Sequence, residues 1–472
     1  MASAGRSGHR RHRRDWRAQQ PGCHGTVTDA PQGPVAQPPP RSLSGTLAQL
    51  GPGLILTASI VGSGELIVVP KLGADVGFGL LWFVILGCFL KVFVQIALAR
   101  YAVATHTTTL AALDSIPGPR WRVSWVVWIW LGMYVGTVLQ VGGIIGGIVN
   151  VLAELGFAQS QGFWVVLVTT SCVLLLWSGR YRPVERWSTM MVGGFTLCTI
   201  VAVIALQWTP YRVTAGDLAE GLSFSLPPSF TVAFAAFGIT GVGASELVYY
   251  PYWCLEKGYG RQVGPRVETA EWRARARGWL RVMQVDAWCS LAVYAAATAA
   301  FYLLGAAVLH ARGTPVTDDA LVPTLAHMYG DSLGPWSTLF FLGGALVVLY
   351  STFFVSTAGN ARLLVDVLGL ARVARWQTEQ HRRRGIQWAC VLLPLASALV
   401  YTLWPRPVTL VIVGAVGQGV MLPFLAGAAL YFHRHRTTAD LRPGRSWGAM
   451  LWISAVSMIA IGIYQLVQTL RG

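Results

Sequence analysis

Charged residues are scarce in this sequence. Asp, Glu, Lys and Arg together make up 12% of the 472 residues, whereas 54% are hydrophobic. A typical soluble domain carries about 25% charged residues. The shortage of charge therefore excludes an ordinary soluble protein and predicts an all-α membrane protein that crosses the bilayer many times.

Acidic residues are scarcer than basic ones. Twenty Asp and Glu stand against 36 Lys and Arg, which gives a net charge of +16. Such a charge can indicate a nucleic-acid partner. Here, however, the basic residues lie in short connections between apolar runs rather than on one soluble face. We therefore expect no nucleic-acid partner, and membrane lipid around the chain.

Cysteine is also sparse and forms no motif. The seven cysteines are scattered, mostly in apolar stretches, and none belongs to a CxxC pair. This pattern excludes a disulfide framework and a cysteine zinc site. The sequence shows no nucleophile–base constellation, so we expect neither an enzyme nor a permanently bound cofactor.

Residues 1–45 lack an apolar run of signal-peptide length. The segment is first Arg-rich and then Pro-rich, from Pro31 to Pro40. Because this composition cannot bury a core, we expect a disordered basic cytoplasmic tail.

Eleven apolar segments follow, each long enough to cross a bilayer, which needs about 20 residues. Segments 1 to 11 lie near 51–71, 77–99, 123–152, 161–178, 187–207, 229–254, 282–309, 336–358, 386–404, 408–432 and 447–469. Segment 3 is unusually long and carries Gly142-Gly143 and Gly146-Gly147. These glycines form a small-residue ridge that favours close helix packing.

Lys and Arg are distributed unequally between the two sides of the predicted membrane. With the tail inside, the outer connections carry few basic residues, whereas the inner ones hold clusters such as Lys257–Arg281 and Arg362–Arg384. This asymmetry follows the positive-inside rule. It predicts a plasma-membrane protein with a cytoplasmic N-terminus and an extracellular C-terminus. We expect it to be a monomer.

One short motif occurs twice. The run Gly62-Ser63-Gly64-Glu65-Leu66-Ile67-Val68-Val69-Pro70 in segment 1 returns in segment 6 as Gly243-Ala244-Ser245-Glu246-Leu247-Val248-Tyr249-Tyr250-Pro251. Each copy places a carboxylate inside an apolar segment, where an ionisable group is costly and marks a functional site. Glycine and proline interrupt both segments, and paired interruptions indicate the binding site of a transporter.

Five crossings separate the two copies, so the two halves of the chain have opposite orientations. The spacing predicts an inverted repeat, with 46–210 as the first half and 211–433 as the second. Residues 434–472 then hold segment 11. Such a repeat brings Glu65 and Glu246 to the membrane midplane, across a pseudo-two-fold axis.

Several runs resemble, in the same order, the Nramp family of divalent-metal transporters. They are Gly51-Pro52-Gly53, Gly73–Trp82, Arg182–Glu185, Leu280-Arg281 with Asp286, Ser351–Asn360 and Met421-Leu422-Pro423-Phe424. The resemblance implies a LeuT-type fold with a 5+5 inverted repeat plus one helix, interrupted helices 1 and 6, and alternating access.

The departures from the family lie in its functional motifs. Its helix 1 metal motif, Asp-Pro-Gly-Asn, is replaced by the run from Gly62 to Glu65, and its helix 6 motif, Met-Pro-His, by Gly243-Ala244-Ser245. The two helix 3 acids associated with proton movement correspond to Thr137 and Gln140. Proton coupling is therefore left open.

The family's helix 10 glutamine has no aligned counterpart, but Gln418 lies about one turn away. Without methionine, an all-oxygen site favours a hard divalent cation, Mg²⁺ or Mn²⁺, as the transported ion. The candidate binding residues are Gly62, Ser63, Gly64, Glu65, Gly243, Ser245, Glu246 and Gln418, with Glu65 and Glu246 as metal ligands. The candidates for coupling or counter-charge are Lys91, Thr137 and Gln140.

Lys91, inside segment 2, leaves alternatives open. It either extends to the cytoplasmic headgroups or pairs with Glu65 or Glu246. A paired ammonium would favour a small organic solute, with Lys91 and both glutamates as polar anchors. A third possibility is a membrane sensor or scaffold that does not transport. Asp286 lies close to Arg281, and we expect an ion pair between them.

Overall fold

The computed structural model describes residues 37–157, 159–178, 180–225, 237–238, 240–311, 313, 323–324, 326, 330 and 334–471. These residues are almost entirely helical. Helices α1 to α8 are Leu43–Leu47, Pro52–Ser63, Val69–Val76, Leu81–Thr105, Thr109–Asp114, Trp125–Glu154, Gln161–Leu176 and Tyr181–Leu206. Helices α9 to α16 are Ala215–Gly221, Ala244–Lys257, Tyr259–Val263, Ala270–Leu304, Pro335–Leu370, Glu379–Leu403, Pro407–Tyr431 and Arg445–Arg471. Strands β1 (Arg120–Trp121) and β2 (Val123–Ser124) form a short antiparallel hairpin before α6.

Seven helices in the described residues are long and apolar enough to span a bilayer: α4, α6, α12, α13, α14, α15 and α16. Two shorter apolar helices, Pro52–Val61 and Gln161–Leu176, correspond to predicted segments 1 and 4. Segment 5 corresponds to α8 and segment 6 ends in α10, while the first part of segment 6 lies outside the described residues. The helices therefore follow the predicted order of segments.

Segment 1 is interrupted at its motif. Helix α2 ends at Ser63, residues Gly64–Val68 form a π-helical turn, and α3 continues from Val69. Pro70 has no N–H to donate to the carbonyl of the preceding turn, which disfavours an unbroken α-helix here. Short π-helical turns of this kind often occur at functional sites. We call Gly64–Val68 the segment 1 interruption.

Segment 6 is interrupted just before its motif. Residues 240–243 form a bend, and α10 begins at Ala244 with Gly243 as its N-cap. Gly241 has φ +63°, a left-handed conformation that suits glycine. The chain therefore re-enters a helix immediately before Glu246, which lies in the first turn of α10. We call residues 240–243 the segment 6 interruption.

The glycine ridge of α6 packs directly on α14 and α15. A Cβ atom on Gly142 would lie 2.8 Å from the Ser397 carbonyl oxygen, and one on Gly143 would lie 2.5 Å from that of Pro407. Gly146 packs against the ring of Tyr401. Only glycine permits such close approach of backbones, so the ridge predicted from the sequence lies at a helix–helix contact.

We expect Gly143→Ala to destabilise the protein because the added methyl group meets backbone atoms that cannot move aside. Overpacking of this kind costs about 1–3 kcal/mol. Thermal unfolding in detergent measures the effect as a lower Tm. The control is Gly132→Ala in the same helix, where nothing lies within 4 Å of the new methyl group. An equal Tm for the two variants would contradict the close packing.

The described part of the N-terminal tail is packed on the helices. The N–H of Gln37 donates to the side chain of Gln262 at 2.9 Å, and the Trp279 indole donates to the Gln37 carbonyl at 3.0 Å. Helix α1 follows and leads into segment 1. Residues 37–45 thus have defined contacts, whereas 1–36 lie outside the described residues.

Candidate functional site

Both motif glutamates lie inside the helix bundle. Glu65 is fully buried, in the segment 1 interruption, and Glu246 is 7% exposed, in the first turn of α10. A buried carboxylate is costly unless its oxygens are hydrogen-bonded, paired or bound to a cation. The partners of each oxygen therefore show what the two carboxylates do.

Glu65 is held by the opposite half of the chain. Its Oε1 accepts a hydrogen bond from the N–H of Gly241 at 3.0 Å and another from the Thr298 hydroxyl at 3.0 Å. Gly241 belongs to the segment 6 interruption, and Thr298 lies on α12. The carboxylate of one interruption thus caps a backbone group freed by the other.

Glu246 is held in the reverse direction. Its Oε1 accepts from the Ser59 hydroxyl at 3.1 Å and from the Tyr249 hydroxyl at 3.0 Å. Ser59 lies on α2, one to two turns before the segment 1 interruption, and it also contacts the hydroxyl of Ser356 at 3.1 Å. Each motif glutamate is therefore bound by the segment that carries the other one.

The second oxygen of each carboxylate remains available. Oε2 of Glu65 and Oε2 of Glu246 are buried and have no hydrogen-bond partner among the residues that the structure describes. Two buried carboxylate oxygens in this condition are the natural ligands of a cation. Within the same described residues, no three His, Cys, Asp or Glu side chains converge, so neutral oxygens or water would complete such a site.

A polar chain connects the start of α10 to α6 and α15. The N–H of Ser245 donates to Oε1 of Gln418 at 3.1 Å, and Nε2 of Gln418 donates to Oε1 of Gln140 at 2.7 Å. The hydroxyl groups of Ser245 and Thr137 lie 3.1 Å apart. Four of the candidate residues therefore meet at the segment 6 interruption.

Gly243 fits tightly between the polar groups. A Cβ atom there would lie 2.6 Å from Oε2 of Glu246 and would also collide with the amide oxygen of Gln418. Gly62 and Ser63 are the last two residues of α2, and Gly64 is the first residue of the π-helical turn. The side chain of Ser63 lies outside the described residues.

Lys91 occupies a third position, different from both expected ones. Its side chain is fully buried on α4, so it does not extend to the headgroups. Nζ donates to the carbonyl oxygens of Phe237 and, at 2.7 Å, Thr240. Among the described residues it forms no ion pair with Glu65 or Glu246.

Sequence reasoning missed Ser59, Thr298 and Ser356, because they lie on other helices and carry no local motif. Tyr249 lies in the second copy of the motif. Its spacing of three residues from Glu246 places both side chains on one helix face, and this pattern was the available indication of contact.

Asp286 does not pair with Arg281, so that expectation is wrong. Its carboxylate accepts from the N–H groups of Gly51 at 3.0 Å and Gly53 at 2.6 Å, and from the Tyr250 hydroxyl at 2.9 Å. Residues five apart on a helix point to different faces, which separates Asp286 from Arg281. Asp286 instead caps the N-terminus of α2.

Buried carboxylates at two interrupted helices of a polytopic bundle are typical of a membrane transporter. The family model described as "Natural resistance-associated macrophage protein-like" matches residues 53–468. The chain therefore belongs to the Nramp family, as its sequence motifs predict.

Solved structures of transporters share the fold. A crystal structure of a manganese transporter of Eremococcus coleocola, in complex with an aromatic bis-isothiourea substituted compound, is 16% identical with a TM-score of 0.63, covering 91% of this chain and 88% of that one. MhsT in complex with L-phenylalanine is 14% identical with a TM-score of 0.55, covering 91% of this chain and 99% of that one. The likeness confirms the predicted LeuT-type fold.

Proposed function

We propose that the chain is a secondary transporter that moves a hard divalent cation, Mg²⁺ or Mn²⁺, by alternating access. The observation that carries this proposal is the pair of buried carboxylate oxygens, Oε2 of Glu65 and Oε2 of Glu246, left without hydrogen bonds among the described residues. Both lie where interrupted helices from the two halves meet, which is the usual position of a transporter site.

The ligand chemistry favours a hard ion. The described surroundings of the two carboxylates offer hydroxyl and amide oxygens, among them those of Ser245 and Gln418 beside Glu246. Oxygen ligands with partial hydration suit Mg²⁺ and Mn²⁺. The manganese substrate named for the Eremococcus coleocola protein is consistent with this class of ion.

The charge of Lys91 is compatible with a cation at this site. Its ammonium donates to two backbone carbonyls, whose dipoles at a helix end offset part of its charge. With both carboxyl groups ionised around a bound ion, their two negative charges exceed the single positive charge of Lys91. Because Lys91 already uses hydrogens on the backbone, its contacts give no support to the alternative in which it binds an organic solute.

The cross-connection of the two interruptions supports a role in alternating access. A cation that binds Glu65 and Glu246 replaces repulsion between them by shared coordination, and so draws segments 1 and 6 together. We place the N-terminus in the cytoplasm and the C-terminus outside, in a plasma membrane, on the distribution of basic residues.

Calorimetry on purified protein tests the proposal. We expect MgCl₂ or MnCl₂ to bind, and the same ion to enter proteoliposomes that contain the protein. Absence of binding of both ions at ~1 mM, a weak affinity for a specific site, would contradict the proposal. Stabilisation by an amino acid or amine that a chelator leaves unchanged would favour the organic-solute alternative. Binding without uptake would favour a sensor.

A further inference from the structure

The ammonium of Lys91 lies on two carbonyl groups at the start of the segment 6 interruption, one before it and one in its first residue. Nζ donates to the carbonyl oxygens of Phe237 and Thr240, and it lies 4.6 Å from the centre of the Phe237 ring. The side chain is fully buried. These contacts surround the ammonium with carbonyl dipoles and the face of an aromatic ring, both of which attract a cation.

Lys91 and Glu65 together replace one helical hydrogen bond. In a continuous helix the carbonyl of Phe237 would accept from the N–H of Gly241, four residues on. Here that N–H is donated to Glu65 at 3.0 Å, and the carbonyl accepts from Lys91 instead. A lysine and a glutamate thus satisfy the two backbone groups that the interruption separates.

We infer that Lys91 is a tethered monovalent cation, which occupies a cation site formed by the carbonyl oxygens of Phe237 and Thr240. Carbonyl groups at unwound helix ends are a common site for a small monovalent ion in transporters, because their dipoles replace its hydration shell. In this chain a covalently attached ammonium holds that position. The segment 6 interruption is therefore stable without a bound inorganic ion.

Lys91 thereby has a positioning role toward Glu65. By fixing the carbonyls of residues 237 and 240, the ammonium fixes the backbone that presents the N–H of Gly241 to Glu65. Removing the ammonium leaves carbonyls that attract any small cation of suitable size. The vacated space after Lys91→Ala has the dimensions of propylammonium, which is the part of the side chain that the substitution removes.

Thermal unfolding in detergent tests the inference. In choline chloride with EDTA, we expect Lys91→Ala to lower Tm by about 5 °C or more, since buried backbone carbonyls lose their partner. Replacing choline by sodium, potassium or propylammonium chloride at equal ionic strength is expected to restore at least half of that loss. The unaltered protein should respond equally to all four salts. Because EDTA is present, the result does not depend on the proposed divalent cargo.

Lys91→Met is the matched control, since it fills the space with an apolar chain and leaves no room for an ion. It should be destabilised and show no difference among the salts. Equal responses of Lys91→Met and Lys91→Ala would overturn the inference, as would an unchanged Tm of Lys91→Ala in choline or a loss that none of the salts restores. If Lys91→Ala does not fold in choline, recovery of folded protein on solubilisation in sodium or potassium chloride supports the inference, and failure to recover contradicts it.

Discussion

Glu65→Gln and Glu246→Gln are each expected to weaken binding of Mg²⁺ or Mn²⁺ by about 100-fold or more and to abolish uptake. The substitution keeps the shape of the side chain. It also keeps one oxygen, which can continue to accept from Gly241 and Thr298 at Glu65, or from Ser59 and Tyr249 at Glu246. What is lost is the negative charge and the second oxygen. Calorimetry and proteoliposome uptake measure the two effects.

The control is Glu268→Gln, which removes an equal charge from an exposed residue that pairs only with Arg266 among the described residues. It should bind and transport like the unaltered protein. Full metal binding by both Glu65→Gln and Glu246→Gln would refute a carboxylate site.

The double variant separates one shared site from two independent ones. If Glu65 and Glu246 bind the same ion, the second substitution should reduce the binding affinity less than the first. The first substitution alone already removes most of the attraction between the site and the ion. Additive losses would indicate that the two glutamates act separately. The crosswise hydrogen bonds give the physical reason to expect coupling, since each segment holds the other's carboxylate.

The scaffold was predictable because its causes are local. Apolar runs fix the order of the helices, and the glycine ridge of α6 marks a close contact whatever its partner is. The recurrence of Gly, Glu and Pro in segments 1 and 6 marked the interruptions, since an ionisable residue inside an apolar run has few structural uses. Both interruptions lie at or beside these motifs in the structure.

The partners of the buried charges were not predictable from the sequence. Lys91 and Asp286 both act on backbone groups of distant segments, and a backbone group leaves no mark in the sequence. Neighbouring charges suggested ion pairs instead, as with Arg281. In an apolar interior a carbonyl or N–H group freed by a helix end needs a partner, as a charged side chain does, because water cannot satisfy it.

A common principle connects these residues. Each interrupted or terminating helix leaves backbone groups without partners, and side chains from the other helices satisfy them: Glu65 at Gly241, Lys91 at Phe237, and Asp286 at Gly51. In the proposed alternating-access cycle, these bonds join the parts that move. Their loss is expected to alter the balance of conformations as well as stability.

Asp286→Ala is expected to lower the free energy of unfolding by about 3 kcal/mol, because it leaves two buried N–H groups without an acceptor and leaves the Tyr250 hydroxyl only the Met283 carbonyl, at 3.3 Å. The same change should release the start of α2, where Gly51 and Gly53 now donate to the carboxylate. Hydrogen–deuterium exchange of the amides at 51–57 measures this release directly. We expect exchange to accelerate by about 100-fold, the factor that corresponds to 3 kcal/mol of local opening.

Asp286→Asn should be almost as damaging, since its amide NH₂ would face donors rather than acceptors. The matched control is Asp217→Asn, which alters the cap of the surface helix α9, where Asp217 accepts from the N–H of Thr214 at 2.7 Å. Water can take over the hydrogen bond of an exposed capping residue. Its loss should therefore lower the free energy of unfolding by about 1 kcal/mol or less. If Asp286→Ala exchanged no faster at 51–57 than Asp217→Asn, the carboxylate would not be what holds segment 1 to α12. Faster amide exchange confined to residues 51–57 would show that Asp286 holds the part of segment 1 that precedes the site.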